Sequence, residues 1–299
     1  FWAFHLLWFF PWSATLASVR IPAETRARRV TILALCWLGF ILVFFTFSTT
    51  QEYYSMPAYP AFALLIGAAL AAGNKWGLRI AGGIFALAAF AIAFILSQVW
   101  NTPAPGDISR ALTHNPDAYT LSLGHMGDLT LQSFAYLKLP LVIALIAAIT
   151  GSIALFRRPV IMVTIAMVLF LHAARLALIV FDPYLGSRDL ARAYQAAPPG
   201  ELIVDNQYYT FSRVFFYTQT KQAYLLNGRV TNLEYGSYAP GAPQVFMTDE
   251  DLLIKWNESR RYYVLIEKPS LERLESLLGR PALKLVAESG GKYLFTNHE

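Results

Sequence analysis

Charge is scarce in this sequence. Asp, Glu, Lys and Arg make up 14% of its 299 residues, where soluble domains carry about 25%. That deficit excludes an ordinary water-soluble surface over much of the chain. Cysteine is nearly absent: Cys36 is alone, so no internal disulfide can form and the redox compartment is not readable from it. No GxSxG, HExxH or CxxC pattern occurs. The basic residues lie in short turns rather than along a groove, so nothing points to nucleic acid.

Hydrophobic residues are abundant, at 56% of the chain with a mean hydropathy of +0.43. A membrane-crossing helix needs about 20 mostly apolar residues. Six stretches qualify as candidate spans: 1–19, 30–48, 56–72, 80–99, 139–156 and 160–181. The third is short and led by proline, which suits a helix beginning where the chain turns at the interface, because the first turn has no use for the missing N–H. Phe1 opens inside an apolar run with no basic stretch before it. The first span is therefore not read as a signal peptide, and the chain is read as the C-terminal part of a longer protein.

The loops assign sidedness. Arg20, Arg26, Arg28 and Arg29 lie in one turn, Lys75 and Arg79 in the next but one, and Arg157-Arg158-Pro159 in the last. The alternate segment 49–55 has no Lys or Arg, and 100–138 balances Arg110 and Lys138 against Asp107, Asp117 and Asp128. Short basic loops stay in the cytoplasm. Segments 49–55, 100–138 and everything after 182 are thus expected outside it. Segment 128–140, DLTLQSFAYLKLP, reads as an interfacial helix with Asp128 at its N-cap, Tyr136 and Lys138 at headgroup level, and Pro140 opening the next span.

After Asp182 the composition changes. Apolar strand-like runs at 201–205, 223–227, 244–247, 262–267 and 292–295 alternate with helix-like stretches at 208–218, 249–257 and 270–279, separated by turn signals such as Asn227-Gly228 and Gly290-Gly291. This alternation predicts a small α/β domain. The expected organisation is a helical membrane domain over 1–181 and an extracytoplasmic α/β domain over 182–299.

Few residues stand out chemically. Gln51, Glu52, Tyr53 and Tyr54 lie just before Pro57 and Pro60, on the outer side, at the junction of the second and third spans. A carboxylate and two phenols there could hold a sugar, a lipid phosphate or, through Glu52, a divalent metal. The plainer account is an aromatic belt at the interface beside a solvated Glu. His172 and Arg175 lie in the last span, where ionisable groups are costly and point to function by default, although Arg175 is near enough to the end to snorkel. His125 and Asp128 are spaced for metal binding but are only two ligands where zinc sites take three or four, and a helix cap explains Asp128 as well. His5 and His114 read as packing or loop residues. Asp205, Asn206 and Tyr208 end a strand, where α/β folds often bind ligands, yet no Gly-rich phosphate loop follows.

FSTTQEYYSMPAYPAFALLIGAAL (47–70) resembles the span junction of membrane glycosyltransferases of the protein O-mannosyltransferase and aminoarabinose-transferase kind, with Tyr54, Pro57 and Pro60 in the family's positions. FWAFHLLWFFPWS (1–13), LLNGRVTNLEYGSYAP (225–240) and GGKYLFTN (290–297) are similar to other parts of such enzymes. The resemblance implies a GT-C fold, of which this is the C-terminal part, in a multi-pass protein of the bacterial inner membrane with its C-terminal domain extracytoplasmic. It implies a hexosyl- or pentosyltransferase. The enzyme would move a sugar, with inversion, from a polyprenyl-phosphate donor to a lipid, glycan or protein acceptor. Tyr54 would stand near the donor phosphate, with Gln51, Glu52 and Tyr53 lining the same site. Many members carry Lys or Arg just before the tyrosine; here Gln51 and Glu52 stand instead. The family's catalytic acidic residue belongs upstream of Phe1, so these residues alone are expected to be inactive, and a divalent metal ion is the cofactor left open. The competing class is a transporter or flippase of lipid-linked intermediates, but the spans lack the paired mid-membrane interruptions such proteins show.

Overall fold

The computed structural model describes residues 2–48, 52–72, 76–113, 124–157, 160–206, 208–230 and 232–298. Among them, five helical stretches are long and apolar enough to cross a membrane: Thr25–Thr46, Tyr53–Ala71, Trp76–Val99, Gln132–Arg157 and Ile161–Leu185. The protein is a multi-pass membrane protein. The first expected span, 1–19, is broken into α1 (Trp2–Trp8) and a 3₁₀ turn, Trp12–Ser18. Pro11 sits at the break; inside a helix its ring would clash with the carbonyl four residues back and leave that carbonyl without a donor.

Contacts divide the chain into two compact units, one of residues 1–97 and 139–174, the other of 98–138 and 175–299. The first holds α2 (Thr25–Thr46), α3 (Tyr59–Ala71) and most of α4 (Trp76–Val99), α5 (Lys138–Arg157) and α6 (Val160–Leu185). Small residues let these helices approach. A Cβ on Gly77, in the first turn of α4, would stand 2.5 Å from the Ala14 carbonyl oxygen. Ser152 on α5 donates to the Gly82 carbonyl of α4 at 3.0 Å. Phe85 fills the adjoining space against Phe10 and Phe170. Large apolar side chains such as Phe40, Leu87, Phe90 and Leu171 point outward, the inverse of a soluble fold and the pattern a lipid solvent favours.

The second unit carries a six-stranded sheet of order β3-β2-β1-β4-β6-β5. Its strands are β1 (Glu201–Asp205), β2 (Tyr224–Leu226), β3 (Phe246–Met247), β4 (Tyr262–Glu267), β5 (Lys284–Ser289) and β6 (Lys292–Thr296). The first four run parallel, and β6 and β5 close one side antiparallel. Strands β1 and β4 are buried along nearly their whole length, as central parallel strands covered on both faces must be. One face packs under α7 (Arg188–Ala196) and α8 (Ser212–Thr218) and the other under α10 (Asp249–Trp256) and α11 (Leu271–Leu278). A further short helix, α9 (Asn232–Ser237), follows β2. Helix α10 starts where Thr248 and Asp251 form a reciprocal capping box ahead of three acidic residues that suit the helix dipole.

Every strand expected from the sequence forms, and β5, α7 and α9 are additional. Residues 132–137 form a 3₁₀ turn rather than an α-helix, and α5 begins directly at Lys138 with Pro140 in its first turn.

Candidate functional site

The proline junction is built by the local rules of the chain. Helix α2 ends at Thr46, and a 3₁₀ stretch, Glu52–Ala58, leads into α3, whose second residue is Pro60. The small Ala58 and Ala61 are fully buried and let this stretch lie against α2. Leu42, Ala58 and Phe62 form a core with Phe9, Leu38 and Ile41 around it. Phe9 meets Tyr59 edge-on at 4.9 Å and stacks on Phe62 at 4.6 Å. His5, 2% exposed, lies parallel to the Phe62 ring at 5.8 Å. Trp2 closes the other side, its indole N–H donating to the Thr46 hydroxyl at 2.8 Å.

On this platform the structure brings Tyr53 and Tyr54 together. Their rings meet edge-on at 4.7 Å, and Tyr54 packs on Phe45 at 5.5 Å. Tyr53 is 58% and Tyr54 37% exposed. Two phenols are therefore held on an apolar aromatic wall, each with part of its side chain accessible. The backbone of Glu52 opens the 3₁₀ stretch; its side chain, and all of Gln51, lie outside the described residues. Phe45 and Trp2 were not singled out by sequence, because an aromatic inside an apolar run carries no distinguishing signal.

A second cluster, in the other unit, escaped the sequence analysis. Gly290 and Gly291 form the tight turn between β5 and β6, both with positive φ. This turn presses on the carboxyl end of α6: a Cβ on Gly290 would collide with the Pro183 carbonyl and stand 2.8 Å from the Tyr184 nitrogen. The Gly290 N–H donates to Asp107 at 3.2 Å. The ammonium of Lys292, 4% exposed, donates to the carbonyls of Pro183 and Tyr184. Those carbonyls belong to the last turn of a helix, which has no internal donors for them, so Lys292 caps α6 from a distant strand. Burial pushes its pKa down to about 8, with Glu267, Asp107 and Asp182 opposing that and Arg213 adding to it. Around it, Tyr184 donates to the buried Asp128 at 2.7 Å, and Arg213 pairs with Asp182. Segment 98–113 is tied in further: Tyr136 donates to the Pro105 carbonyl and Lys138 to that of Thr102. The only sequence signal was the GGK triplet, which gave no hint of its partners.

The remaining candidates that are described make the following contacts. Asp128 is engaged by Tyr184, and the side chain of His125 and all of His114 lie outside the described residues. His172 bonds through Nδ1 to the Val168 carbonyl one turn back, a local helix contact. Asp205 ends β1 in an ion pair with Arg273, which also holds Asp249; Asn227 donates to the same Asp249 at 3.0 Å. Tyr208 packs against Tyr209 and Phe215. Among the described residues, no three His, Cys, Asp or Glu side chains are grouped to hold a metal ion.

No family model and no curated protein sequence matches the chain. Two solved structures do. ArnT from Cupriavidus metallidurans in the apo state is 21% identical, with a TM-score of 0.62, and the same protein bound to undecaprenyl phosphate is 19% identical, with a TM-score of 0.64. Both alignments cover 100% of this chain, and 52% and 51% of those chains. The chain thus spans about half the length of the proteins it matches. At this identity the likeness establishes the fold alone, that of about half of ArnT: helices long and apolar enough to cross a membrane, with a small mixed sheet at the C-terminal end.

Proposed function

We propose that the protein is a membrane glycosyltransferase that takes a sugar from a polyprenyl-phosphate donor and passes it to a lipid, glycan or protein acceptor. The observation that carries this reading is the likeness over the whole chain to a protein solved with undecaprenyl phosphate. The paired tyrosines at the proline junction support it. A phenol O–H fixed against Phe45 can donate to a phosphate oxygen where water is partly displaced, and hydrogen bonds to charged acceptors are the strong ones. The aromatic wall suits the first isoprene units behind that phosphate.

In the reaction so read, an acceptor oxygen attacks the anomeric carbon from the side opposite the phosphate. The bond between that carbon and the phosphate oxygen breaks with inversion, the polyprenyl phosphate leaves with the electron pair, and the acceptor hydroxyl gives up its proton to the departing phosphate or to water. Tyr54, with Tyr53 beside it, binds and orients the phosphate and stabilises the charge that grows on it. Glu52 is the only carboxylate in 44–65, so a divalent ion would find its protein ligand there, and chelation with EDTA tests that role. The alternation of basic and non-basic turns supports a sidedness with 49–55, 100–138 and the α/β domain extracytoplasmic, and the resemblance to bacterial membrane sugar transferases supports a place in the inner membrane.

The test is transfer in native membranes from radiolabelled polyprenyl-phosphate sugars, with Tyr54→Phe and Glu52→Gln beside wild type. Loss of one charge-assisted hydrogen bond, about 1.5–3 kcal/mol, should lower the Tyr54→Phe rate roughly 10- to 150-fold. Transfer by Tyr54→Phe at the wild-type rate would remove the tyrosine from the site.

A further inference from the structure

The α/β part of the second unit carries a concavity of about 400 Å³, within the range of about 300–1,000 Å³ typical of small-molecule sites. It opens where β2 and β3 begin, at Tyr224 and Phe246; Asp251 and Lys255 of α10, with Glu258 just beyond that helix, form its other wall, and Gln244 also lines it. None of these residues takes part in the proline junction or in the cluster around Lys292.

The polar groups here are held from outside the cavity. Asp251 accepts through Oδ2 from the Thr248 N–H at 2.9 Å and its hydroxyl at 3.2 Å. Glu258 accepts through Oε2 from the Tyr262 hydroxyl at 2.7 Å. Gln244 donates through Nε2 to the Ala242 carbonyl. Lys255 lies over the rings of Tyr224 and Tyr262, its Nζ 4.4 and 5.5 Å from their centroids. Each group keeps spare capacity: the second oxygen of each carboxylate, the amide oxygen of Gln244 and the ammonium N–H groups.

We propose that this concavity binds a neutral saccharide ring. Acceptors and a donor stand side by side, and a hydroxyl is the group that can serve both. The two carboxylates of Asp251 and Glu258 are balanced by Lys255 and by Arg229, which lies over the Phe246 ring, so neither sign of ligand charge is favoured. Lys255 covers a face of Tyr224, so Phe246 is the ring left to meet the C–H face of a pyranose, with Arg229 over one of its two faces at 5.2 Å. An added peptide strand is disfavoured: the edge strand β3 has two residues and follows Pro240 and Pro243, features that protect sheet edges.

The test is saturation-transfer NMR on the full protein in nanodiscs prepared without sugar detergents or glycolipid. Methyl glucoside is the probe; glucuronate, glucosamine and trialanine are the comparators. Methyl glucoside should bind saturably with a millimolar Kd and more tightly than the other three. Glu258→Gln, which still accepts from Tyr262, and Lys255→Met should each weaken it roughly five-fold, the worth of about one hydrogen bond. Absence of saturable binding, equal binding by both variants, or preference for a comparator overturns the assignment. Should a variant lose the wild-type circular dichroism, the ranking of the four ligands on wild type decides. No transfer step is read, so failure here leaves the proposed reaction standing.

Discussion

Replacing Gly290 with alanine should detach the β5–β6 turn from the end of α6, and Gly291 supplies the internal control. Both glycines have positive φ, +63° and +73°. Alanine at either pays the left-handed backbone cost, about 1–2 kcal/mol. At Gly291 nothing else lies within 4 Å of the new Cβ, whereas at Gly290 it meets the backbone of Pro183 and Tyr184. Backbone at a helix end cannot yield as a flexible side chain can, so the turn must retreat. Retreat breaks the Gly290 bond to Asp107 and strains the Lys292 bonds to the two carbonyls. Loss of the bond to the Asp107 carboxylate, with weakening of the two Lys292 bonds, adds about 2–4 kcal/mol. Gly290→Ala is therefore expected to cost about 3–6 kcal/mol and Gly291→Ala about 1–2 kcal/mol. Native-state hydrogen exchange reads this directly: amides of 285–296 and of 107–112 should lose protection together in Gly290→Ala and far less in Gly291→Ala. Equal losses in the two variants, or loss confined to 285–296, would refute the reasoning that the turn clamps segment 98–138 through backbone contact.

Two further outcomes follow from packing and burial. The native pKa of Lys292 is about 8, below its ordinary 10.5. The native state therefore carries a buried charge at a cost below pH 8, and stability recovers as pH rises from 8 to 10.5, by up to about 3 kcal/mol. Thermal unfolding at pH 7.5 and 9.5 should show that rise in wild type and a smaller one in Lys292→Met; identical slopes would count against it. In the membrane unit, Gly77→Ala places a Cβ 2.5 Å from the Ala14 carbonyl oxygen, while Gly83 has nothing within 4 Å. Gly77→Ala should cost about 1–3 kcal/mol by overpacking. Gly83→Ala should be neutral or gain about 1 kcal/mol of helix propensity; fluorescence-detected melting in detergent compares the two.

The sequence by itself determined the parts that depend on local pattern. Apolar runs of about 20 residues specify helices for a lipid solvent wherever they stand, so the stretches 30–48, 80–99, 139–156 and 160–181 could be placed before any contact was known. Runs such as ELIVD and YYVLIE read as buried strands for the same reason. Strand β5 was not visible, because as an edge strand it is only partly buried and KLVAES carries little apolar signal. Helix α7 was hidden behind its charged face, RDLARAYQA. The break at Pro11 was masked by the hydrophobicity around it, since composition counts residues and cannot register one steric clash.

Tertiary structure alone decided which distant groups meet. Tyr53 and Tyr54 are adjacent in the chain, so their pairing was legible, but the wall of Phe45 and the Trp2–Thr46 bond required three segments to pack. Lys292, Asp107, Asp128 and Tyr184 lie up to 185 positions apart and look unremarkable singly. Their meeting depends on the end of α6, the β5–β6 turn and segment 98–138 converging. A sequence periodicity reports which face of an element is apolar; a buried polar contact between elements has no period, so only the folded coordinates contain it.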